Sequence, residues 1–452
     1  MNPEFQRNLW IEMTTQRIAL MAGILVLVFF AAGMTSFLPN TTEQTARVLF
    51  YIIVVAWGTR SAALSVVSEI RDRTWDFQRL SSISPAEMTW GKLFGSTVYN
   101  WFGGAICLVV MVSSVLLKQG IVSALIELVY AVSVGVVAQG VSFLASLIAV
   151  RRRQQSHSRR DVFLYQVVGV LSAYLVYSLW QTIDPRSLLT LVITAPREFS
   201  WWGIDVNPRI FFLISLALLL GWILTGCYRA MRIELKMQNR PTVWIGFLLF
   251  VGLYVGGFDL SHSTQSYAPE WDAIADRLAL VVSAFGVLTY IMVLLEPKDR
   301  VHLRWLGRQL AKFKLLPWFN GLQAWMLSYI AVLLVAVPLL MRLHQVGQDM
   351  PVAMIAAAIG FLTRDIGIFI LMQTRAGKRG GDYPALVCLF ALYILLPSIL
   401  NGLGMNDVLY LFHPLPNSVF LPGVLAPWIE ALAVLGFAFT RLALPETQPA
   451  RK

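Results

Sequence analysis

The chain has 452 residues, of which 57% are apolar and only 13% carry a charge. Soluble domains average about 25% charged residues, so this composition excludes an ordinary soluble protein. A net charge of +11 would suit a nucleic-acid-binding protein, but the basic residues are distributed by side of a membrane, which argues against a nucleic-acid partner. The three cysteines lie in or beside apolar runs and predict neither a disulfide framework nor a zinc site.

The first 18 residues predict an amphipathic helix that lies in the membrane interface ahead of the first span. Phe5, Leu9 and Met13 recur at every fourth position, with Trp10 beside them. A frayed terminus is the alternative. The charges in this stretch, followed by a full-length apolar run at 19–38, favour a retained span over a cleavable signal peptide.

Apolar runs of about 20 residues recur along the whole chain, each long enough to cross a membrane as a helix. The expected fold class is therefore all-α: a polytopic membrane protein with about twelve transmembrane helices in two pseudo-symmetric six-helix halves. With the N-terminus inside, most of the 36 lysines and arginines fall on the cytoplasmic side, so both termini are predicted to be cytoplasmic. The candidate spans lie near 19–38, 46–68, 94–117, 121–150, 162–181, 209–228, 242–259, 277–296, 321–341, 351–373, 384–402 and 422–443.

Two pairs of charged inner loops predict an internal duplication. The loop around Glu69 follows the second span, and the loop around Glu296 follows the eighth, about half a chain later. The loops at 151–166 and 374–387 repeat this relation after the fourth and tenth spans. Two halves in the same orientation explain the spacing, an arrangement that transporters use; a chance likeness between charged inner loops is the alternative. The predicted domains are the interface helix at 1–18 and two six-span domains at 19–235 and 236–452.

No catalytic constellation is found in the sequence. The five histidines are scattered, and no HExxH, GxSxG or clustered Cys/His spacing occurs. The segment GKLFGST at 91–97 lacks the GxxxxGK[ST] order of a phosphate loop. The chain is expected to be no enzyme and to hold no cofactor or metal of its own, so any ATP-driven work must come from a partner.

Five ionisable residues fall inside the predicted spans. Such a group costs roughly 2.5–3.5 kcal/mol at a helix centre on insertion scales, so each is expected to face protein or water. They are candidates for a translocation pathway or a gate between halves; packing contacts and snorkelling toward an interface are the alternatives. The five are Arg60, Glu127, Arg364, Asp365 and Glu430.

The inner loop at 69–94 carries more defined local chemistry than a connector needs. A short helix is predicted near the inner surface, with Phe77 and Leu80 on a face different from that of Trp75. Ser84 then predicts an N-cap, with Pro85 in the first turn and Glu87 completing a capping box. The loop is therefore interpreted as a short helix, a turn and the capped start of the third span.

This loop resembles the inner loop of ABC transporter permeases of the second type. The residues in register with that family's pattern are Glu69, Thr74, Ile83-Ser84-Pro85, Glu87 and Gly91-Lys92-Leu93, with Asp76 in place of Glu and Met88 in place of Ile. The residues that depart from it are Arg73, Trp75, Gln78 and Ser82, and the early arginine is one place late, at Arg71.

The resemblance implies that residues 74–84, approximately, form a coupling helix that docks into a groove on a separate ATP-binding subunit. It also implies two copies of that ATPase subunit, which would hold the ATP and Mg²⁺, while the fused chain supplies both membrane halves. The predicted ATPase contacts are Arg73, Thr74, Phe77, Arg79 and Leu80 in this loop, and Trp305, Leu310 and Phe313 in its diverged copy at 304–319.

The expected function is therefore the permease subunit of an ATP-driven ABC exporter in a bacterial inner membrane, in contact with membrane lipids and moving an amphiphilic substrate. A secondary transporter of two six-span halves, driven by an ion gradient, is the main alternative. The loop at 69–94 lacks the Gly-x-x-x-Asp start and the Gly-Arg core of the major facilitator family. A non-transporting membrane scaffold or regulatory subunit is the third possibility.

Overall fold

A computed structural model describes residues 2–34, 41–152, 159–183, 200–258, 273–376, 382–413 and 420–443. In this part of the chain, 11 helices are long and apolar enough to cross a membrane, and Thr242–Gly256 is a shorter apolar helix. The prediction of an all-α polytopic membrane protein is confirmed. The inner loops at 151–166 and 374–387 fall partly outside the described residues.

Contacts divide the chain into two compact units. The first unit consists of Met1–Phe199 and Asp205–Asn239, and the second of Ser200–Ile204 and Arg240–Lys452. Each unit has hydrophobic clusters of its own. The boundary between the two units falls near residue 239. The duplication of one half stays a prediction.

Within the described residues, the first unit contains six long apolar spans, the short N-terminal helix, and two short helices on the loop after the second span. They are α1 (Pro3–Glu12), α2 (Thr15–Met34), α3 (Thr41–Arg71), α4 (Trp75–Arg79), α5 (Pro85–Gly95), α6 (Val98–Gln119), α7 (Ile121–Arg152), α8 (Arg159–Ile183) and α9 (Pro208–Glu234).

The second unit also contains long spans and short helices, and it includes Ser200–Trp201, the first strand of a small hairpin whose second strand is Ile204–Asp205. Its helices are α10 (Thr242–Gly256), α11 (Ala273–Leu295), α12 (Arg300–Ala311), α13 (Leu315–Gly321), α14 (Ala324–Gln345), α15 (Asp349–Ala376), α16 (Asp382–Phe390, Ala391–Leu395 and Leu396–Gly402) and α17 (Phe420–Ala443).

The spans are apolar outside as well as inside, as expected for helices in lipid. In α2 only 11% of the apolar window is buried, and Leu27 and Phe30 point outward with more than half of their surface exposed. In α15, by contrast, 72% of the window is buried. Since α15 packs against α17, α14 and α11, it is the central helix of the second unit.

Span α3 contains a π-helical segment, Tyr51–Trp57, whose wide turn leaves backbone carbonyls in need of donors. Side-chain amides from three other spans supply them: Asn100 of α6, Gln139 of α7 and Gln166 of α8 donate to carbonyl oxygens of this segment at 2.8–3.1 Å. Water cannot satisfy these groups inside a bilayer, so the amides hold the widened helix in place.

Candidate coupling site and buried ion clusters

The inner loop at 69–94 folds as a turn, a short helix and a capped helix start. Helix α3 ends in a turn in which Arg73 adopts a left-handed backbone with φ of 59°, and the N–H of Thr74 donates to the Glu69 carbonyl at 2.9 Å. At the start of α5, Ser84 Oγ accepts from the Glu87 N–H at 3.2 Å and Glu87 Oε2 accepts from the Ser84 N–H at 3.1 Å. The predicted capping box is confirmed.

The hydrogen bonds from Ser84 favour the charged form of the Glu87 carboxylate and lower its pKa. This carboxylate is exposed, so desolvation does little to oppose its ionisation at neutral pH. The cap therefore keeps its full strength at neutral pH and weakens only when the medium becomes acidic enough to protonate Glu87.

Helix α4 and the residue that caps its C-terminus, Leu80, present the two predicted anchors to the outside. Phe77 is 78% exposed and Leu80 is 85% exposed, whereas Trp75 of the same short helix is 4% exposed and belongs to the core of the first unit. Arg73 and Thr74 are also exposed. The two faces predicted from the sequence are thus present. Trp75 packs into the core of the first unit, and Phe77 and Leu80 lie on the exposed face.

Arg79 connects α4 to the last span of the first unit. Its guanidinium lies 3.0 Å from the buried Glu234 carboxylate at the end of α9 and 3.1 Å from exposed Asp76. It also lies 5.8 Å from the centroid of the Trp75 ring. Arg79 was predicted to contact a partner protein. In the structure its guanidinium contacts Glu234, Asp76 and Trp75 of its own unit.

Lys92 is the centre of a buried ion cluster beneath the loop. Its side chain is fully buried, and its ammonium pairs with Glu4 Oε1 at 3.1 Å and with Glu69 Oε2. Arg7 lies 2.9 Å from Glu4 and 2.5 Å from Glu69, and Gln78 Nε2 donates to Glu69 Oε1 at 2.7 Å. The two cations balance the two carboxylates, and this compensates the charges of Lys92 and Glu4, which are buried away from water, whereas Arg7 is exposed.

Helix α1 packs on α5 through residues that a purely apolar interface would not use. Asn2 caps α1 and also donates to the Glu87 carbonyl at 2.6 Å, and Asn8 donates to the Gly91 carbonyl at 3.1 Å. A Cβ at Gly91 would lie 2.7 Å from the Glu4 Cβ, so only glycine permits this approach. Trp10 is 72% exposed. Helix α1 therefore contacts α5 through polar residues, and its Trp10 side chain stays exposed.

The segment at 304–319, which the sequence predicts to be a diverged copy of this loop, has a similar course in the second unit. Helix α12 is followed by a turn in which Phe313 has a φ of 52°, and then by α13. Trp305 is half-buried and stacks on His302, with ring centroids 5.8 Å apart. Leu310 and Phe313 are 49% and 86% exposed. Of the three predicted contacts on this segment, the outward-facing ones are therefore Leu310 and Phe313.

In the first unit, the predicted intramembrane carboxylate Glu127 is neutralised by a residue that the sequence analysis did not select. Glu127 is buried on α7 and lies 3.2 Å from Arg47 on α3, which also lies 3.3 Å from Glu43. One turn along α3, the hydroxyls of Tyr51 and Tyr130 are 3.3 Å apart. This cluster joins α3 to α7 at the level of the π-helical segment.

In the second unit, three of the predicted residues come together. Arg364 and Asp365 are almost fully buried on α15 and lie 3.1 Å apart, and Arg364 Nη1 lies 2.8 Å from Glu430 Oε2 on α17. The hydroxyls of Tyr290 and Tyr393 both donate to Asp365 Oδ2 at 2.7 Å. The Asp365 carboxylate is thereby fully paired by an arginine and two tyrosines.

A cleft of about 510 Å³ borders this cluster. Its walls are mainly aliphatic side chains of α11, α14 and α15, and Tyr290, Tyr393 and Phe361 also line it. Arg364 lies behind the aromatic wall, 4.7 Å from the Phe361 ring centroid and 5.1 Å from that of Tyr393. The ion cluster therefore fixes the tyrosines that form the polar part of an otherwise apolar wall.

Arg60 stands apart from the other predicted intramembrane charges. It is exposed on α3, and its side chain forms no ion pair or hydrogen bond with another residue in the described part of the chain. Four residues of these clusters were not predicted from the sequence: Arg47, Lys92 and the two tyrosines that bind Asp365. Lys92 lies in the family-like motif and could have been selected from it, whereas a tyrosine in an apolar run carries no signal of a polar role.

No group of His, Cys, Asp and Glu that could hold a metal ion occurs among the residues that the structure describes. Comparison of the chain with family models, with curated proteins and with solved structures gives no match. The assignment of a function therefore depends on the geometry of the chain itself.

Proposed function

We propose that the chain is the membrane permease of an ATP-driven exporter and that α4 docks a separate ATPase subunit. The observation that carries this proposal is the exposed pair Phe77 and Leu80 on a short helix that is fixed from below by Trp75 and the Lys92 ion cluster. Exposed apolar residues on a rigid element are what a helix-in-groove contact needs. ATP and Mg²⁺ belong to the partner in this scheme.

The loop offers a mechanical connection from such a partner to the spans. Displacement of α4 would reach α9 through the Arg79–Glu234 pair and α3 through the hydrogen bond from Gln78 to Glu69. Lys92 extends the same network to α5. Because packed elements move as rigid bodies, a small shift at the docking helix would be passed to several spans together.

The remaining predicted residues have roles in the same scheme. Glu127 in the first unit and the Arg364–Asp365–Glu430 cluster in the second are proposed as parts of the pathway or its gate, together with Arg60. The apolar cleft beside Tyr290 and Tyr393 supports an amphiphilic substrate. We propose a bacterial inner membrane and cytoplasmic termini, since most basic residues then lie inside.

The experiment is co-purification of an ATPase with the tagged full chain and with Phe77→Asp and Leu80→Asp. The matched control is Leu403→Asp, because Leu403 is 69% exposed at the end of α16, on the opposite membrane side from the loop in the proposed topology. The wild-type chain and the control should retain an ATP-hydrolysing subunit, and the two loop variants should lose it while remaining monodisperse.

Two results would overturn the proposal. Ion-gradient-driven uptake by the purified chain alone would establish a secondary transporter instead. A chain that binds a partner without any ATP hydrolysis or transport would establish a scaffold or regulatory subunit.

A further inference from the structure

The two loops that were predicted to be copies differ in charge. The first, at 69–94, contains four acidic and four basic residues. The second, at 296–319, contains only two acidic residues, Glu296 and Asp299, both at its start, and six basic residues: Lys298, Arg300, Arg304, Arg308, Lys312 and Lys314. An element that docks into the same kind of protein groove as the first would be expected to keep a similar balance of charge.

The basic residues at the tip of the second loop are interleaved with exposed apolar residues. Every residue from Leu310 to Pro317 is exposed, and Phe313, Leu315 and Leu316 each expose more than 60% of their surface. Arg308, Lys312 and Lys314 are exposed and form no ion pair with another described residue. Alternating ammonium groups and large apolar side chains are typical of segments that lie on anionic membranes.

The position of this loop keeps it next to the membrane. It connects α11 to α14, which pack on each other, so it leaves and re-enters the bilayer at one face. Leu306 is buried, His302 Nε2 lies 2.9 Å from the Gly321 carbonyl oxygen, and the Arg300 guanidinium donates to the carbonyl of Arg441 near the end of α17. The base of α12 is thus held at the ends of three spans, and only its tip is free.

We propose that the segment from Arg308 to Leu316, here called the basic tip, binds anionic phospholipid headgroups at the membrane face. Phe313, Leu315 and Leu316 enter the interfacial region, while Arg308, Lys312 and Lys314 pair with phosphate groups. The two loops then have different partners: the first faces protein and the second faces lipid. This inference does not depend on ATPase docking by the first loop.

The test uses the full chain with Cys388→Ser, because the other two cysteines, Cys107 and Cys227, are buried. Leu316→Cys carries an environment-sensitive fluorophore, and Leu80→Cys is the matched control because Leu80 is also a strongly exposed leucine, in the charge-balanced loop. Both are placed in nanodiscs of brominated phosphatidylcholine, with or without phosphatidylglycerol, and bromine quenching is measured.

Quenching at position 316 should increase when phosphatidylglycerol is present, and the increase should disappear at high salt because the headgroup contacts are electrostatic. The label at position 80 should show no such increase. Arg308→Gln, Lys312→Gln and Lys314→Gln combined should remove the lipid-dependent part of the quenching at 316. Absence of label on Cys107 and Cys227 shows that each variant is folded.

The proposal is overturned if phosphatidylglycerol leaves the quenching at 316 unchanged, or if the triple variant keeps the increase. It is equally overturned if an ATPase subunit that co-purifies with the chain shields the label at 316 from an aqueous quencher. That last result would return the second loop to the role of a second ATPase contact.

Discussion

At the scale of single residues, Lys92 shows how a charge is kept inside a membrane protein. Its ammonium is completely buried, which would be prohibitive for an isolated cation, but Glu4 and Glu69 flank it and Trp75 lies 5.3 Å away at its ring centroid. The partners come from the N-terminal helix and from the end of α3. One lysine therefore ties three separate parts of the chain together.

Lys92→Met should destabilise the first unit strongly. The substitution keeps an unbranched side chain but leaves buried Glu4 and partly buried Glu69 with Arg7 as their remaining cation, and removal of one partner of a buried pair costs about 3–5 kcal/mol. The midpoint of thermal unfolding in detergent is the measurement. Lys236→Met is the control, because Lys236 is exposed after α9 and its loss should leave the midpoint nearly unchanged. Equal midpoints for both variants would show that the cluster contributes little.

At the scale of elements, the contact of α1 with α5 depends on the absence of a side chain at one position. At Gly91 an added Cβ would meet the Glu4 Cβ and the backbone nitrogen of Phe5 at 2.7 and 2.8 Å. Rotation of a side chain cannot relieve a contact with backbone, so α1 would have to move away. The same helix pair also contains the Glu4–Lys92 ion pair, which requires the close approach.

Gly91→Ala should therefore loosen α1 although alanine is the better helix former. Hydrogen–deuterium exchange of residues 3–12 should become faster and the unfolding midpoint should fall. The control is Gly307→Ala in α12, where an added Cβ meets nothing within 4 Å; there the gain in helix propensity, about 1 kcal/mol, should be kept. A midpoint raised by both substitutions would mean that α1 does not need the close approach.

The sequence predicts those elements whose cause is local. The spans follow from runs of apolar residues, and the capping box at Ser84 follows from residues three places apart. The ion cluster could not be predicted in the same way, because Glu4, Glu69 and Lys92 meet only through tertiary packing. The three side-chain amides that donate to the π-helical carbonyls could not be predicted either. They are polar residues in apolar runs, and their acceptors lie on another span.

The candidate site could be predicted only in part, because some of its residues meet only through tertiary packing. The exposure of Phe77 and Leu80 follows from their helical spacing relative to Trp75, which is a local property. The grouping of Arg364 with Asp365 was visible in the sequence, but Glu430 and the two tyrosines come from other helices. Only long-range contacts could show that Asp365 is fully paired.

At the scale of the whole molecule, each unit has its own hydrophobic core and its own buried ion cluster. A unit with its own core can lose its structure separately from the other. The native cysteines report on the two units separately: Cys107 and Cys227 are buried in the first, and Cys388 is half-buried in the second. Thiol labelling during heating therefore distinguishes damage to one unit from damage to the other.

Arg364→Met should unfold the second unit first. It leaves Asp365 and Glu430 without their shared cation, a loss of about 3–5 kcal/mol for a buried pair, while the contacts of the first unit are untouched. Cys388 should then react at a lower temperature than in the wild-type chain, with the reaction of Cys227 unchanged. Lys92→Met should give the opposite order, with Cys227 exposed early and Cys388 unaffected. If both variants expose all three thiols together, the chain unfolds as one cooperative body and the two cores do not act independently.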